Sequence, residues 1–233
     1  MEPLVDSYGR QIKSLRISVT DKCNFRCTYC MPAEGLPWLK KDQILSYEEI
    51  VRIARVAVDM GIDQIRLTGG EPLVRRDLAE LVKQLTALPG LRSLSLTTNG
   101  ILLKNQARAL AEAGLTRINV SLDSLVREKF ADMTRRDQLA NVLEGLAALE
   151  EYPSIRPIKI NAVAMRGYTE EEVIPFVEFA RKQGYVMRWI EFMPLDADQH
   201  WRKEDILTGA EIKQIIEATY GPLQQVPNEH AAE

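Results

Sequence analysis

All three cysteines of this 233-residue chain lie within one short segment, at Cys23, Cys27 and Cys30. Three thiols so close together indicate a bound group, and an odd number of them cannot close into disulfide pairs. Thiolates at this spacing suit either zinc or an iron–sulfur cluster. The pattern Cys-x3-Cys-x2-Cys therefore predicts a metal centre.

The number of thiols separates the two kinds of centre. Structural zinc takes four ligands, and the fourth would have to be His200 or His230, which both lie far along the chain. A [4Fe–4S] cluster normally takes one thiolate per iron, so three cysteines leave one iron able to hold a substrate or cofactor. The motif favours such an open cluster, with zinc or another metal as the alternative.

Composition and charge exclude several classes of protein. Apolar residues make up 45% of the chain and charged residues 27%, which is typical of a globular domain. No apolar run reaches the roughly 18 residues of a membrane span, and residues 1–6 lack the basic patch and apolar core of a secretory signal. A formal charge of −3 gives no bulk attraction to nucleic acid. We expect no membrane or nucleic-acid partner and a location in the reducing cytoplasm.

The elements that must position the cysteines alternate between strand and helix. Apolar alternation and β-branched residues predict the strands, while helical stripes, N-cap residues and glycine stops predict the helices. Thr169 is expected to cap the sixth helix, and Arg75 and Arg76 are expected to form a surface pair. The predicted strands are residues 15–20, 62–68, 91–98, 115–122, 155–164 and 185–192, and the predicted helices are residues 46–61, 77–88, 104–113, 125–133, 137–151, 169–183 and 208–219.

This alternation predicts the fold class, α/β. Strands joined through helices imply parallel pairing with right-handed crossovers, and six units are too few to close an eight-stranded barrel. We therefore expect a partial, open βα barrel with six parallel strands over residues 15–219. Residues 1–14 are expected to form an N-terminal extension, and residues 220–233 to begin a C-terminal segment that is otherwise absent.

Chemistry in such folds collects in the loops after the carboxyl ends of the strands. The cysteines follow the first predicted strand, Gly69-Gly70-Glu71-Pro72 follows the second, and residues 97–100 end the third. Ser121 ends the fourth strand, and residues 191–194 end the sixth. These residues are predicted to meet on one rim of the sheet.

Two of these motifs together resemble the radical S-adenosylmethionine (SAM) superfamily. Cys23-x3-Cys27-x2-Cys30 has the superfamily's cluster-loop spacing, with Tyr29 as the aromatic residue before the last cysteine, and the Gly-Gly-Glu-Pro motif is similar to its second signature. Further segments resemble the GTP 3′,8-cyclase family, which catalyses the first step of molybdenum cofactor biosynthesis. These segments are residues 15–27, 30–32, 65–68, 97–100, 159–161 and 191–194.

The resemblance implies a [4Fe–4S] cluster and SAM as cofactors, and GTP as substrate. In that family, reductive cleavage of SAM gives a 5′-deoxyadenosyl radical that removes the ribose 3′ hydrogen of GTP, and the product is 3′,8-cyclo-7,8-dihydro-GTP. The radical arises at the cluster-bound SAM, so no side chain is assigned as catalytic. An electron donor such as flavodoxin or ferredoxin is the expected protein partner.

The resemblance also implies roles for individual residues. Cys23, Cys27 and Cys30 would hold the cluster. The SAM contacts would be Tyr29, Gly70, Ser121 and Met193, and the GTP contacts would be Arg16, Arg66, Thr97 and Lys159.

The sequence departs from the GTP 3′,8-cyclase family in its C-terminal part. That family carries a second three-cysteine cluster, which binds the purine, whereas no cysteine follows Cys30 here. We expect a fragment whose open side exposes apolar surface or pairs with a partner, for instance in a homodimer. Two alternatives stay open, namely a one-cluster radical SAM enzyme with another substrate and a non-catalytic zinc-binding module.

Overall fold

The computed structural model describes residues 2–195 and 201–226, and its strands form one six-stranded sheet. The strands lie side by side in sequence order, every neighbouring pair is parallel, and the described sheet is open between its first and last strands. This confirms the predicted α/β partial barrel. The strands are β1 Ser14–Ser18, β2 Gln64–Thr68, β3 Ser93–Thr98, β4 Arg117–Ser121, β5 Ile158–Ala164 and β6 Val186–Glu191.

Helices connect consecutive strands and cover the outer face of the sheet. Outward side chains such as Leu67, Leu96, Val120 and Ile160 are fully buried with helix residues in one apolar core. The alternate side chains face inward, because successive residues of a strand point to opposite faces. The helices are α1 Tyr47–Asp59, α2 Leu78–Thr86, α3 Leu103–Glu112, α4 Arg127–Thr134, α5 Leu139–Ala148, α6 Val173–Gln183 and α7 Gly209–Tyr220.

Several strands begin later than predicted, because apolar residues at their starts serve the preceding helix instead. Leu115 is buried, but its backbone N–H donates to Leu110 O at 3.0 Å and closes the end of α3, so β4 begins at Arg117. The predicted Thr169 cap is wrong. Residues 170–172 form a short 3-10 turn, and the Thr169 hydroxyl oxygen accepts from Met165 N at 3.1 Å rather than capping α6.

Large apolar side chains are exposed beside the open edge of the sheet. Val186 lies on the edge strand β6, and the others follow β6 or end and follow α7. Apolar exposure was expected on this side of the barrel. The exposed residues are Val186, Met193, Leu195, Tyr220, Leu223 and Val226. None of the helices in residues 2–195 and 201–226 is long and apolar enough to cross a bilayer.

Helices α3 and α5 approach closely at Gly145. A Cβ atom at this position would lie 2.5 Å from Gly100 O and 2.9 Å from Leu103 Cβ. Both contacts are shorter than real Cβ contacts, so the two helices pack at a distance that only a glycine permits.

Gly145→Ala should therefore destabilise the protein. In an unhindered helix, alanine is better than glycine by about 1 kcal/mol, but overpacking in a core costs about 1–3 kcal/mol. After the gain is subtracted from the cost, we expect the free energy of unfolding in urea to fall by up to about 2 kcal/mol. Gly209→Ala is the matched control, since the nearest neighbour of its Cβ would be Glu191 Oε1 at 3.6 Å. A Gly145→Ala protein as stable as its parent would contradict the packing argument.

Candidate functional site

The three cysteines lie in the loop that follows β1, residues 21–31, which we call the cysteine loop. Cys23 and Cys27 are partly buried, Cys30 is exposed, and all three are free thiols. They line one cavity together with Gly70 and Ser121, which we call the cysteine cavity. Tyr29 lines the cysteine cavity as well, so the structure brings the predicted ligands and three of the four predicted SAM contacts to one place.

The di-glycine turn after β2 lies directly against the backbone that leads into the cysteine loop. A Cβ at Gly69 would lie 2.3 Å from Thr20 O, and a Cβ at Gly70 would lie 2.4 Å from Lys22 O. Gly70 N donates to Thr20 O and Glu71 N donates to Lys22 O, each at 2.7 Å. The glycines are therefore needed for the turn to contact the loop, a role that the sequence argument did not include.

Glu71 is a buried carboxylate that joins the ends of β2 and β3. Its oxygens accept from Leu73 N at 2.9 Å, from the Thr98 hydroxyl at 2.7 Å and from Asn99 N at 2.6 Å. Burial raises the pKa of the Glu71 carboxyl, and these hydrogen bonds offset part of the shift. Asn99 Nδ2 in turn donates to Asn24 Oδ1 in the cysteine loop at 2.6 Å. Glu71 therefore fixes the segments that follow β2 and β3, and the cysteine loop is hydrogen-bonded to both of them.

Tyr29 anchors the cysteine loop to the ends of β4 and β5. Its hydroxyl donates to Asp123 Oδ2 at 2.6 Å, and Asp123 Oδ1 accepts from Val163 N at 2.9 Å. Burial raises the pKa of both the Tyr29 hydroxyl and the Asp123 carboxyl. Sequence reasoning assigned Tyr29 only as a SAM contact, and it placed Asp123 at the end of the fourth predicted strand without giving it a role. The available signal was an acidic residue directly after a buried strand.

The carboxyl end of α4 holds the cysteine loop from another side. Arg26 N donates to Thr134 O at 3.1 Å, and Thr28 N donates to Met133 O at 2.9 Å. The last carbonyl groups of a helix have no partner inside the helix. Here the N–H groups of the cysteine loop supply those partners.

Arg75 supports the same rim through backbone contacts. Its guanidinium donates to Val19 O at 2.6 Å and to Leu45 O at 2.7 Å, and it lies 4.2 Å from the centre of the Tyr47 ring. The predicted surface pair is therefore wrong for Arg75. This side chain ties the segment after the di-glycine turn to the end of β1.

The chemistry of the cysteine cavity fits a cluster better than a single ion. Burial raises the pKa of all three thiols, so a cationic centre is needed to keep them as thiolates. Within residues 2–195 and 201–226, no group of three or more His, Cys, Asp or Glu side chains converges on one ion. Thiolates of a [4Fe–4S] cluster bind separate irons and need not converge. His200 and His230, the candidate zinc ligands, lie outside the described residues.

A second cavity, which we call the arginine cavity, adjoins the cysteine cavity on the inner face of the sheet. Arg16, Arg66, Arg188 and Asn161 are among the residues that line it. Asn161 Oδ1 is buried and has no hydrogen-bond partner in the described chain, so it offers an acceptor to a ligand. Sequence reasoning missed Arg188, although its alternation along β6 places it on the inner face. Five residues line both cavities: Tyr29, Thr68, Thr97, Ser121 and Asp123.

Two predicted contacts lie apart from these cavities. Lys159 lines a smaller cavity at the amino-terminal ends of the strands, together with Arg117 and Arg66. Of the residues that line this smaller cavity, only Arg66 also lines the arginine cavity. Met193 follows β6, is 49% exposed, and lines neither the cysteine cavity nor the arginine cavity.

The inner faces of the strands carry positive charge and, among the described residues, no carboxylate. Charges of one sign in a cleft attract ligands of the opposite sign. The space enclosed by the inner faces of the strands, which we call the lumen, is therefore suited to a polyanion. Its cationic residues are Arg16, Arg66, Arg117, Lys159 and Arg188.

Residues 17–180 match the family described as the Radical SAM superfamily. This chain belongs to that superfamily. The radical SAM cofactors, a [4Fe–4S] cluster and SAM, agree with a cavity in which three thiols face a di-glycine turn.

Curated relatives show which members of the radical SAM superfamily this chain is similar to. A GTP 3′,8-cyclase of Paenarthrobacter nicotinovorans is 48% identical, over 93% of this chain and 61% of the relative. A GTP 3′,8-cyclase of Pelotomaculum thermopropionicum is 45% identical, over 94% of this chain and 67% of the relative. Molybdenum cofactor biosynthesis protein 1 of Drosophila melanogaster is 44% identical, over 97% of this chain and 40% of the relative. The chain spans about three fifths of the length of the first bacterial relative.

Solved structures share the radical SAM fold at low sequence identity. A methylornithine synthase covers 90% of this chain with a TM-score of 0.65 and 14% identity, and the match spans 63% of that protein. The structure of TYW1 with a lysine-pyruvate adduct covers 89% of this chain with a TM-score of 0.64 and 17% identity, and the match spans 74% of that protein. At these identities the likeness shows the fold alone.

The role of Glu71 can be tested with Glu71→Gln. The amide replaces one acceptor oxygen with a donor group, so a buried N–H or hydroxyl loses its partner, at a cost of about 1–3 kcal/mol. We expect a fall of that size in the free energy of unfolding and less iron bound per chain after anaerobic reconstitution.

Glu172→Gln is the matched control for this prediction. Glu172 is also buried and accepts from the Ser124 hydroxyl and Leu125 N, each at 2.6 Å, but it does not line the cysteine cavity. We expect this variant to lose stability while retaining iron. Equal iron contents in the two variants would show that Glu71 has no particular role at the cysteine cavity.

Proposed function

We propose that this chain is the SAM-cleaving core of a GTP 3′,8-cyclase. The observation that carries the proposal is the shared wall between the two cavities. One cavity holds three thiols, the other holds three arginines, and five residues line both. The names of the curated relatives support the same function.

The cysteine cavity would bind the cofactors. Cys23, Cys27 and Cys30 would hold the cluster, and SAM would lie beside Tyr29, Gly70 and Ser121. When bound, the cluster supplies the electron for reductive cleavage of SAM, and the radical chemistry belongs to the cofactor. The protein contributes position, through the di-glycine turn and the Tyr29–Asp123 hydrogen bond. Met193 is proposed as a further SAM contact from beyond β6.

The arginine cavity would bind GTP. Arg16 and Arg66 would contact the triphosphate, because a guanidinium group matches phosphate oxygens in a bidentate geometry. Lys159, at the deeper end of the lumen, would meet the phosphate furthest from the ribose. Thr97 lies in the wall shared with the cysteine cavity, where its hydroxyl would contact GTP close to the SAM site.

The proposal extends to partners and location. A one-electron donor such as flavodoxin or ferredoxin would reduce the cluster near exposed Cys30. A homodimer would cover exposed apolar side chains beside β6. Free thiols at the cysteine cavity favour the reducing cytoplasm.

The enzymatic proposal predicts SAM cleavage by this chain. After anaerobic reconstitution we expect a brown protein with about four irons per chain that forms 5′-deoxyadenosine when reduced. Cys23→Ala, Cys27→Ala and Cys30→Ala should each lose the cluster and this product while keeping the melting transition of the metal-free parent. Absence of 5′-deoxyadenosine from the reduced parent would refute the proposal. Loss of the fold in all three variants would instead favour a structural metal.

The substrate proposal predicts that inner-face cations set GTP affinity. A hydrogen bond to a charged group contributes about 1.5–3 kcal/mol, so Arg16→Gln or Arg188→Gln should raise the Kd for GTP by about 10- to 100-fold. Titration calorimetry on the reconstituted protein measures this change. Arg108→Gln is the control, because Arg108 forms an exposed ion pair with Glu112 on α3. Intact SAM cleavage with GTP binding that is absent or insensitive to Arg16 would indicate another substrate.

A further inference from the structure

Arg135, at the carboxyl end of α4, has an unusual backbone conformation. Its φ and ψ angles are 53° and 29°, in the left-handed region. Glycine or asparagine is the usual residue at such a helix end, because a Cβ crowds the neighbouring carbonyl. A long cationic side chain at this position suggests that the side chain has a use that offsets the strain.

The guanidinium of Arg135 contacts the cysteine loop at two points. Its Nη1 atom donates to Arg26 O at 3.2 Å and to Met31 O at 2.7 Å. Arg26 directly precedes Cys27, and Met31 directly follows Cys30. One cation therefore holds both ends of the segment that carries two of the three thiols.

The segment between these two contacts is a tight turn. Cys30 N donates to Cys27 O at 3.0 Å, and Met31 N donates to the same oxygen at 2.9 Å. The backbone of α4 reinforces the turn, because Thr134 O accepts from Arg26 N and Met133 O accepts from Thr28 N. The left-handed residue ends the helix at the place where its carbonyl groups and the Arg135 side chain meet the loop.

The other side chains of the loop make different contacts. The Arg26 guanidinium donates to Cys23 O and Phe25 O inside the same loop, so it shapes the loop without anchoring it to a neighbouring element. Tyr29 anchors the loop to Asp123, at the ends of β4 and β5. Asn24 and Lys22 attach the start of the loop to the segments that follow β3 and β2. The Arg135 contact with α4 is separate from all of these, and it holds the part of the loop around Cys27 and Cys30.

We propose that Arg135 is a positioning residue that holds the Cys27–Cys30 turn in its binding conformation before any metal is present. The inference goes beyond the proposed function, since it depends on neither SAM nor GTP. It predicts that loss of the guanidinium loosens the turn while the rest of the fold stays intact.

The test compares three variants in the metal-free protein. Arg135→Asn keeps a residue that tolerates the left-handed conformation but removes the two hydrogen bonds of the guanidinium to the cysteine loop. Arg135→Lys keeps a cation that can donate to a carbonyl. Arg136→Asn is the matched control, because the Arg136 side chain donates to Arg135 O and not to the cysteine loop.

The measurements are the alkylation rate of each cysteine by iodoacetamide, read by mass spectrometry, and the hydrogen exchange of residues 23–31. For Arg135→Asn we expect Cys27 to react about tenfold faster, the size expected when a hydrogen bond from a charged group is lost. Cys23, which lies before both contacts, serves as the internal reference. Arg135→Lys should react at an intermediate rate and Arg136→Asn at the parental rate. Iron bound per chain after reconstitution should fall in the same order.

Parental alkylation and exchange in Arg135→Asn would overturn the proposal, and so would an equal acceleration in Arg136→Asn. If Arg135→Asn fails to fold, Arg135→Lys decides: faster Cys27 alkylation and lower iron content than in the parent would support the proposal, and parental values of both would overturn it. The alkylation experiment uses metal-free protein, so its result does not depend on whether the protein forms 5′-deoxyadenosine. Failure of the proposed function is therefore distinguishable from failure of the Arg135 proposal.

Discussion

The close approach of the di-glycine turn to the backbone of residues 20–22 is the constraint on which the rest of the site depends. Strands β1 and β2 are parallel neighbours, so their loops leave the sheet at the same edge and must share one space. A side chain at Gly69 or Gly70 would place a Cβ within 2.4 Å of a carbonyl oxygen of the neighbouring loop. Without side chains, the two loops hydrogen-bond directly and form one wall of the cysteine cavity.

Buried carboxylates fasten the remaining loops to one another. The oxygens of Glu71, Asp123 and Glu172 accept from backbone N–H groups and from one hydroxyl each, and each carboxylate joins segments at the carboxyl ends of different strands. Such hydrogen bonds satisfy a buried carboxylate without an ion pair. These three acids lie in the loops, whereas the inner faces of the described strands carry cations, and of the three acids only Asp123 lines the arginine cavity.

Local patterns predicted the strands and their order, because alternation and glycine stops are properties of short segments. Contacts between distant segments were not predictable in this way. Tyr29 and Asp123 are 94 residues apart, and their hydrogen bond depends on how two loops meet above the sheet. The depth of Lys159 depends on strand stagger. The register pairs Thr97 with Asn119 and Asn119 with Lys159, and no periodicity within one strand contains that information.

Because of this stagger, the two ends of the lumen carry different groups. The thiols lie at the carboxyl ends of the strands, Arg16 and Arg66 lie below them, and Arg117 and Lys159 line the cavity at the opposite ends. Positive charge therefore extends away from the thiols, and an elongated anion is most stable with its charged end deepest. For the proposed substrate, the triphosphate would point into the lumen and the ribose would lie at the wall that both cavities share. The order of charges along the barrel would thus place the sugar, rather than the phosphates, beside the group that the cysteines hold.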